Sequence, residues 1–295
     1  MADRTLTSQR PLDTASIPLT GVVLSVLATA GYGLWLLMGV ALAAGVYVDG
    51  RGEVLAPLLA GLVLVSGGLI ASCLRVPGAR LWHGWEPTQG SLPTIEGLVA
   101  MGAYLPMLAV AGLARGSNDF WATRLAGLAL AALCLATLLQ SARNACRRDG
   151  MRPPMPILLP LAKLVAALLA GGLCLWLCMV LDSAEHGEGN VYVARVFVLV
   201  AALASGLLDS LRWRALSHGP IGRLDAPTAE PVASQGRLTA AVLGVGVPCV
   251  LAAVGSGALE AGAAAMAALS CVIGQCLGQR LFCAAHAASA SADFP

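Results

Sequence analysis

Charge is the scarcest ingredient of this 295-residue chain: Asp, Glu, Lys and Arg together supply 12% of it, about half the share of an ordinary soluble domain. Eighteen basic and sixteen acidic residues leave a net charge of +2, which gives no basis for binding nucleic acid. Histidine is equally sparse. A membrane-embedded b-type haem needs two axial ligands, usually His, at depth. Of His83, His186, His218 and His286, only His286 falls near an apolar run, so no haem is expected. The nine cysteines include no C-x-x-C pair, so neither a zinc ion nor an iron–sulfur cluster is expected in this chain. Eight of them lie within apolar runs, where Cys packs as a small hydrophobe. A phosphate-cradling loop, a Ser-His-Asp set and paired carboxylates are also missing. Together these absences argue against a self-contained enzyme.

What the chain has in abundance is apolar length. Hydrophobic residues make up 58% of it, and the mean hydropathy is +0.79. A helix needs roughly 20 apolar residues to cross a hydrocarbon core about 30 Å thick. Eight runs of that kind occur, at about 17–46, 54–74, 94–114, 121–142, 156–181, 191–211, 237–258 and 262–286. They are Leu/Ala/Val/Gly-rich without period-2 alternation, which predicts helices rather than barrel strands. The expected fold is an all-α integral membrane protein, a bundle of eight transmembrane helices with both termini on the same side. Its parts are a polar N-terminal tail (1–16), the transmembrane domain (17–286) and a short C-terminal tail (287–295). The first run is too long for a signal-peptide core and is expected to be retained.

Eight crossings collect the termini and connections 75–93, 143–155 and 212–236 on one face, here side A. Twelve of the eighteen basic residues lie there: Arg4, Arg10, Arg75, Arg80, Arg143, Arg147, Arg148, Arg152, Arg212, Arg214, Arg223 and Arg237. The positive-inside rule then predicts cytoplasmic termini. Trp82, Trp85, Trp121 and Trp213 fall at expected water–lipid boundaries, as belt anchors do.

Ionisable groups inside membrane helices are costly and by default mark function. Glu96, Lys163, Asp209, Arg280 and His286 qualify, joined by the amides of Gln140, Gln275 and Gln279. Glu96 opens the third run, Lys163 lies two turns into the fifth, and the other three charged groups close the sixth and eighth. All the charged candidates fall in the side-A half. Gln275, Gln279, Phe282 and His286 stand at offsets 0, 4, 7 and 11 and share one helix face. Beside them Gly274 and Gly278 form a Gly-x-x-x-Gly pair suited to close helix approach. The alternative reading is that these polar groups tie helices together or snorkel to the surface from helix ends.

Several stretches carry a family resemblance. GGLIASCLRVPGARLWHGW (67–85) with SLPTIEGLVA (91–100), SARNACRRDGMRPPMPILLPLAKL (141–164), Arg195 in VYVARVFVLVAALASG, and the closing GQCLGQRLFCAAH resemble the membrane-anchor subunits of dimethyl sulfoxide reductase. Those anchors belong to a broader group of eight-helix quinone-linked anchors that includes polysulfide reductase. Arg80, Glu96, Arg195, Gly274, Gly278, Phe282 and His286 match the family pattern. Its His-Leu-Gly at the end of helix two reads Arg75-Val76-Pro77-Gly78 here. Gln275 replaces a glutamate, Gln279 stands at an arginine position, and Cys283 replaces a tyrosine.

The resemblance implies a location in the bacterial cytoplasmic membrane and a quinol-oxidising anchor that is not an enzyme on its own. It further implies two partners, a molybdopterin catalytic subunit and a four-cluster ferredoxin-like iron–sulfur subunit, with menaquinol or another quinol bound transiently. On this reading Glu96 accepts a quinol proton, while Arg75, Arg80, Lys163, Gln275, Gln279 and His286 line the quinol site. A secondary transporter, with Pro106, Pro160 and Pro248 breaking helices around a midplane site, is one rival expectation. A non-redox structural anchor or assembly factor is the other.

Overall fold

In the computed structural model the described residues are 19–46, 51–73, 95–114, 120–148, 154–182, 189–217, 230–255 and 257–292. They are helical, with no strand among them. The elements are α1 (Leu19–Ala44), α2 (Arg51–Cys73), α3 (Ile95–Gly102), α4 (Tyr104–Leu113), α5 (Trp121–Arg148), α6 (Met155–Asp182), α7 (Gly189–Ser217), α8 (Glu230–Ala241), a π-turn (Val242–Gly246), α9 (Val247–Val254), a 3-10 turn (Gly257–Leu259) and α10 (Glu260–Ala292). Among the described residues, six segments are long and apolar enough to cross a membrane: Leu19–Ala44, Trp121–Cys146, Met155–Leu181, Val191–Ala215, Ser234–Val254 and Glu260–Ala285. Glu53–Gly68 and Gly97–Leu113 are shorter apolar helices.

Two of the eight runs are not simple rods. A proline lacks the N–H that would bond the carbonyl four residues back, and its ring crowds that carbonyl. The third run accordingly breaks at Ala103, one turn before Pro106, into α3 and α4. The seventh run loosens into the π-turn immediately before Pro248, where the Val247 N–H bonds Val242 O. Pro160, by contrast, lies within an unbroken α6.

With oil outside and an apolar core inside, helices associate through close packing of small residues rather than through hydrophobic expulsion. Helix α1 is the hub and packs on α2, α5, α6 and α10. A Cβ at Gly33 would collide with the Ala167 carbonyl of α6, and one at Gly171 with the backbone of Gly33. Against α5, a Cβ at Gly39 would come within 2.6 Å of the Gly127 carbonyl. The four glycines let α1 lie backbone to backbone between its two neighbours. Helix α1 ends in a Schellman motif, with Val46 N–H bonding Ala41 O (2.9 Å) and Gly45 N–H bonding Leu42 O (3.1 Å). Gly45 takes φ 72°, which a side chain would resist.

The core forms two large clusters, beside a small third where Val22 and Val26 of α1 meet Cys276 of α10. One cluster joins α1, α2, α3, α4 and α5 to the inner face of α6 around Tyr32, Trp35, Met38, Leu58, Leu130 and Leu138. The other joins α6, α7, α9 and α10 around Leu169, Leu173, Trp176, Val198 and Cys271. The halves repeat one packing scheme. As α1 packs on α2 and α5 with α3 and α4 against α5, so α6 packs on α7 and α10 with α8 and α9 against α10. Sequence markers follow nearly the same spacing: Gly31, Trp35 and Met38 of α1 correspond to Gly172, Trp176 and Met179 of α6, each 141 residues on, and Pro106 to Pro248, 142 residues on. Gly31 faces Leu64 and Val65 of α2, while Gly172 faces Phe197 and Val198 of α7.

Candidate functional site

Glu96 sits in the first turn of α3, but its side chain, Arg75, Arg80 and the side chain of His286 lie outside the described residues. The other three predicted site residues are described, and two of them meet on one helix. Lys163, the single lysine of the chain, extends from α6 to α5, where its Nζ donates to Ser141 Oγ at 2.7 Å. Ser141 in turn donates to the Leu138 carbonyl at 3.0 Å. One turn further along α6, the Ala166 carbonyl accepts the Gln275 Nε2–H of α10 at 3.1 Å, and the same amide lies 3.4 Å from Cys271 Sγ. Gln279, a turn beyond Gln275 on α10, is half-buried.

An ammonium and a carboxamide thus bind α5, α6 and α10 together two to three turns into α6. Chemically the pair offers N–H donors held by short bonds in a water-poor setting. Both also span helices, which is how polar groups stabilise association in lipid.

The predicted glycine pair on α10 does what its spacing suggested at one of its two positions. A Cβ at Gly274 would collide with the backbone of Gly244 in the π-turn, whereas one at Gly278 would reach Ala240 Cβ only at 3.9 Å. Ser270, on the same face of α10, donates to Leu243 O at 2.7 Å. In the π register that carbonyl would look to residue 248, which is Pro248 and has no N–H, so the serine hydroxyl supplies the missing donor.

A second polar cluster, absent from the predicted site, lies at the other end of the same helices. Arg195 of α7 donates from Nε to Ala252 O (2.9 Å) and from Nη2 to Ala253 O (3.3 Å) at the end of α9. Its Nη1 lies 3.9 Å from Glu260 Oε1 in the first turn of α10. The same Glu260 oxygen accepts the Trp176 indole N–H of α6 at 3.3 Å. A guanidinium on orphan C-terminal carbonyls and a carboxylate at a helix N-terminus are each favoured by the helix dipole. A sequence signal existed: alternating crossings put Arg195, Trp176 and Glu260 at one depth.

Asp209 and Phe282 belong to a third group, formed where the end of α7, the start of α8 and the end of α10 converge. Arg212 Nη2 lies 3.0 Å from Asp209 Oδ1, and its guanidinium sits 4.3 Å above the Phe282 ring. Phe282 meets Trp213 edge to face at 6.0 Å between centroids, and Arg237 of α8 covers Trp213 at 4.0 Å. Asp209 is half exposed and paired three residues away, as a helix-end ion pair is, and Arg280 is exposed. The predicted stripe on α10 therefore addresses two helices, with Gln275 turned to α6 and Phe282 to α7.

In comparisons with protein-family models, curated proteins and solved structures, nothing matches this chain.

Proposed function

We propose that this protein is the membrane-anchor, quinol-oxidising subunit of a molybdopterin reductase complex, resembling that of dimethyl sulfoxide reductase. In this reading all eight apolar segments cross the bacterial cytoplasmic membrane and both termini face the cytoplasm. The observation that carries the proposal is the meeting of Lys163 and Gln275 one turn apart on α6, two to three turns in from its start. Hydrogen-bond donors within the first half of α6 suit a lipid-soluble donor that enters the bundle from one side and must lose protons and electrons beside a docked partner.

Quinol oxidation releases two protons and two electrons as the quinone forms. Glu96 takes one proton, the other leaves to water at the membrane surface, and Arg80 or Arg75 orients the second oxygen. An arginine within about 4–6 Å favours the ionised carboxylate that a base requires, whereas burial opposes it. Lys163, Gln275, Gln279 and His286 complete the polar lining. The electrons pass singly to an iron–sulfur cluster of the partner subunit, since the proposal assigns no redox centre to this chain.

Copurification tests the class directly: a molybdopterin subunit and a ferredoxin-like subunit should accompany the tagged chain, and a quinol analogue should bind the assembly. Isolation without either subunit, and without analogue binding, would remove the proposal. One observation favours a second reading, the structural anchor: Lys163 and Gln275 already hydrogen-bond to protein across helices.

A further inference from the structure

The convergence of α7, α8 and α10 holds a feature that the quinol reading does not use. Arg212 Nε is buried and, among the described residues, has no hydrogen-bond partner. An N–H left unpaired in a water-poor setting costs free energy, and Asp209 engages the guanidinium only through Nη2. Arg237 is exposed, and among the described residues it contacts the Trp213 ring and no carboxylate. The Trp213 indole N–H likewise has no acceptor among the described residues. Two guanidinium groups thus bracket the Trp213–Phe282 pair, offering donors to an anion, with Asp209 the single acidic group shown against them.

We propose that this corner binds a phosphate group, and that its source is the head group of an acidic phospholipid. The position argues for lipid. Trp213 lies at the last turns of a membrane-length helix, at the depth where belt tryptophans and lipid phosphates meet. Basic pockets between transmembrane helices recognise anionic head groups at this level. Arginine suits the task because its donors are fixed in a plane, so Nη2 holds the Asp209 carboxylate while the Nε–H is left to address a phosphate oxygen.

The test uses the full chain, with any subunits that accompany it, in nanodiscs of phosphatidylglycerol and phosphatidylcholine. Lipid retained after transfer to detergent is counted by native mass spectrometry. Wild type should keep phosphatidylglycerol over phosphatidylcholine. Arg237→Gln, a change at an exposed position, should lower that retention about fivefold, the effect of one basic residue near an anionic membrane surface. Arg212→Lys keeps the charge but deletes the Nε–H, and should also lower it. Displacement by millimolar inorganic phosphate with no head-group preference would keep the phosphate chemistry and overturn the lipid source. Equal retention of both lipids, or retention unchanged in Arg237→Gln, would overturn the site. So would an Arg237→Gln defect confined to the docking of an acidic partner subunit.

Discussion

The two halves of the molecule pack alike but use polarity differently. Among the described residues of the N-terminal half, the buried polar groups are neutral and lie deep within the bundle. Tyr32 Oη donates to the Ala100 carbonyl just before the Ala103 break (3.0 Å), and Trp35 Nε1 to the Leu58 carbonyl (3.1 Å). Ser66 and Tyr104 share a hydrogen bond at 3.0 Å, and Tyr32, Trp35 and Tyr104 meet edge to face. In the C-terminal half the polar groups include guanidinium–carboxylate pairs, and these stand at helix ends: Arg195 with Glu260 at one, Arg212 with Asp209 at the other. The difference follows from desolvation. A phenol or indole needs one acceptor and can be satisfied at any depth by a spare carbonyl, whereas a charge is tolerable only where water, head groups or helix dipoles are near.

The seam between the halves should be the most sensitive point. Gly33→Leu would drive a side chain into the α6 backbone, and we expect a loss of about 3 kcal/mol or more, or failure to accumulate folded protein. Thermal unfolding in detergent reads this directly, and a stable Gly33→Leu protein would mean that α1 and α6 are further apart than described. Next comes the charged end of the C-terminal half. Arg195→Met strips two carbonyls of their donor and leaves Glu260 with Trp176 alone, a cost of about 3 kcal/mol. An effect under about 1 kcal/mol would show that this cluster is solvated.

In the neutral half, Trp35→Phe removes one hydrogen bond while keeping an aromatic ring against Tyr104. About 1 kcal/mol is expected in the same unfolding assay. The smallest effect belongs to Asp209→Asn, because the pair is local and the carboxylate half exposed. We expect less than about 1 kcal/mol there, declining further in high salt. A larger penalty at Asp209 than at Arg195 would reverse the contrast drawn between the two ends.

The six membrane-length helices and the two shorter apolar ones were legible as helices because a membrane permits little else: an uncharged run of about 20 residues must satisfy its backbone internally, which a helix does. Pro106 and Pro248 announced irregularity, and Gly274 announced a close approach. Helix faces were not legible. Lipid and core are both apolar, so exposed Leu105 or Val63 and buried Leu34 or Val65 look alike, and no periodic stripe separates them. Lys163 was readable as a buried charge, yet its partner Ser141 was not, since a serine hydroxyl often bonds back to its own helix. The Arg195–Glu260–Trp176 cluster escaped because Glu260 lies between two apolar runs and a tryptophan within an apolar run signals bulk before it signals an N–H.

The central claim is that the Lys163 and Gln275 region of the bundle, with Glu96 as base, receives quinol. The most direct measurement is electron delivery from a water-soluble quinol analogue to the terminal acceptor in membrane vesicles holding the complete complex, wild type against Glu96→Gln. The account predicts that the variant assembles, still passes electrons from an artificial dye, and loses quinol-driven turnover. Quinol-driven turnover equal to wild type would contradict it.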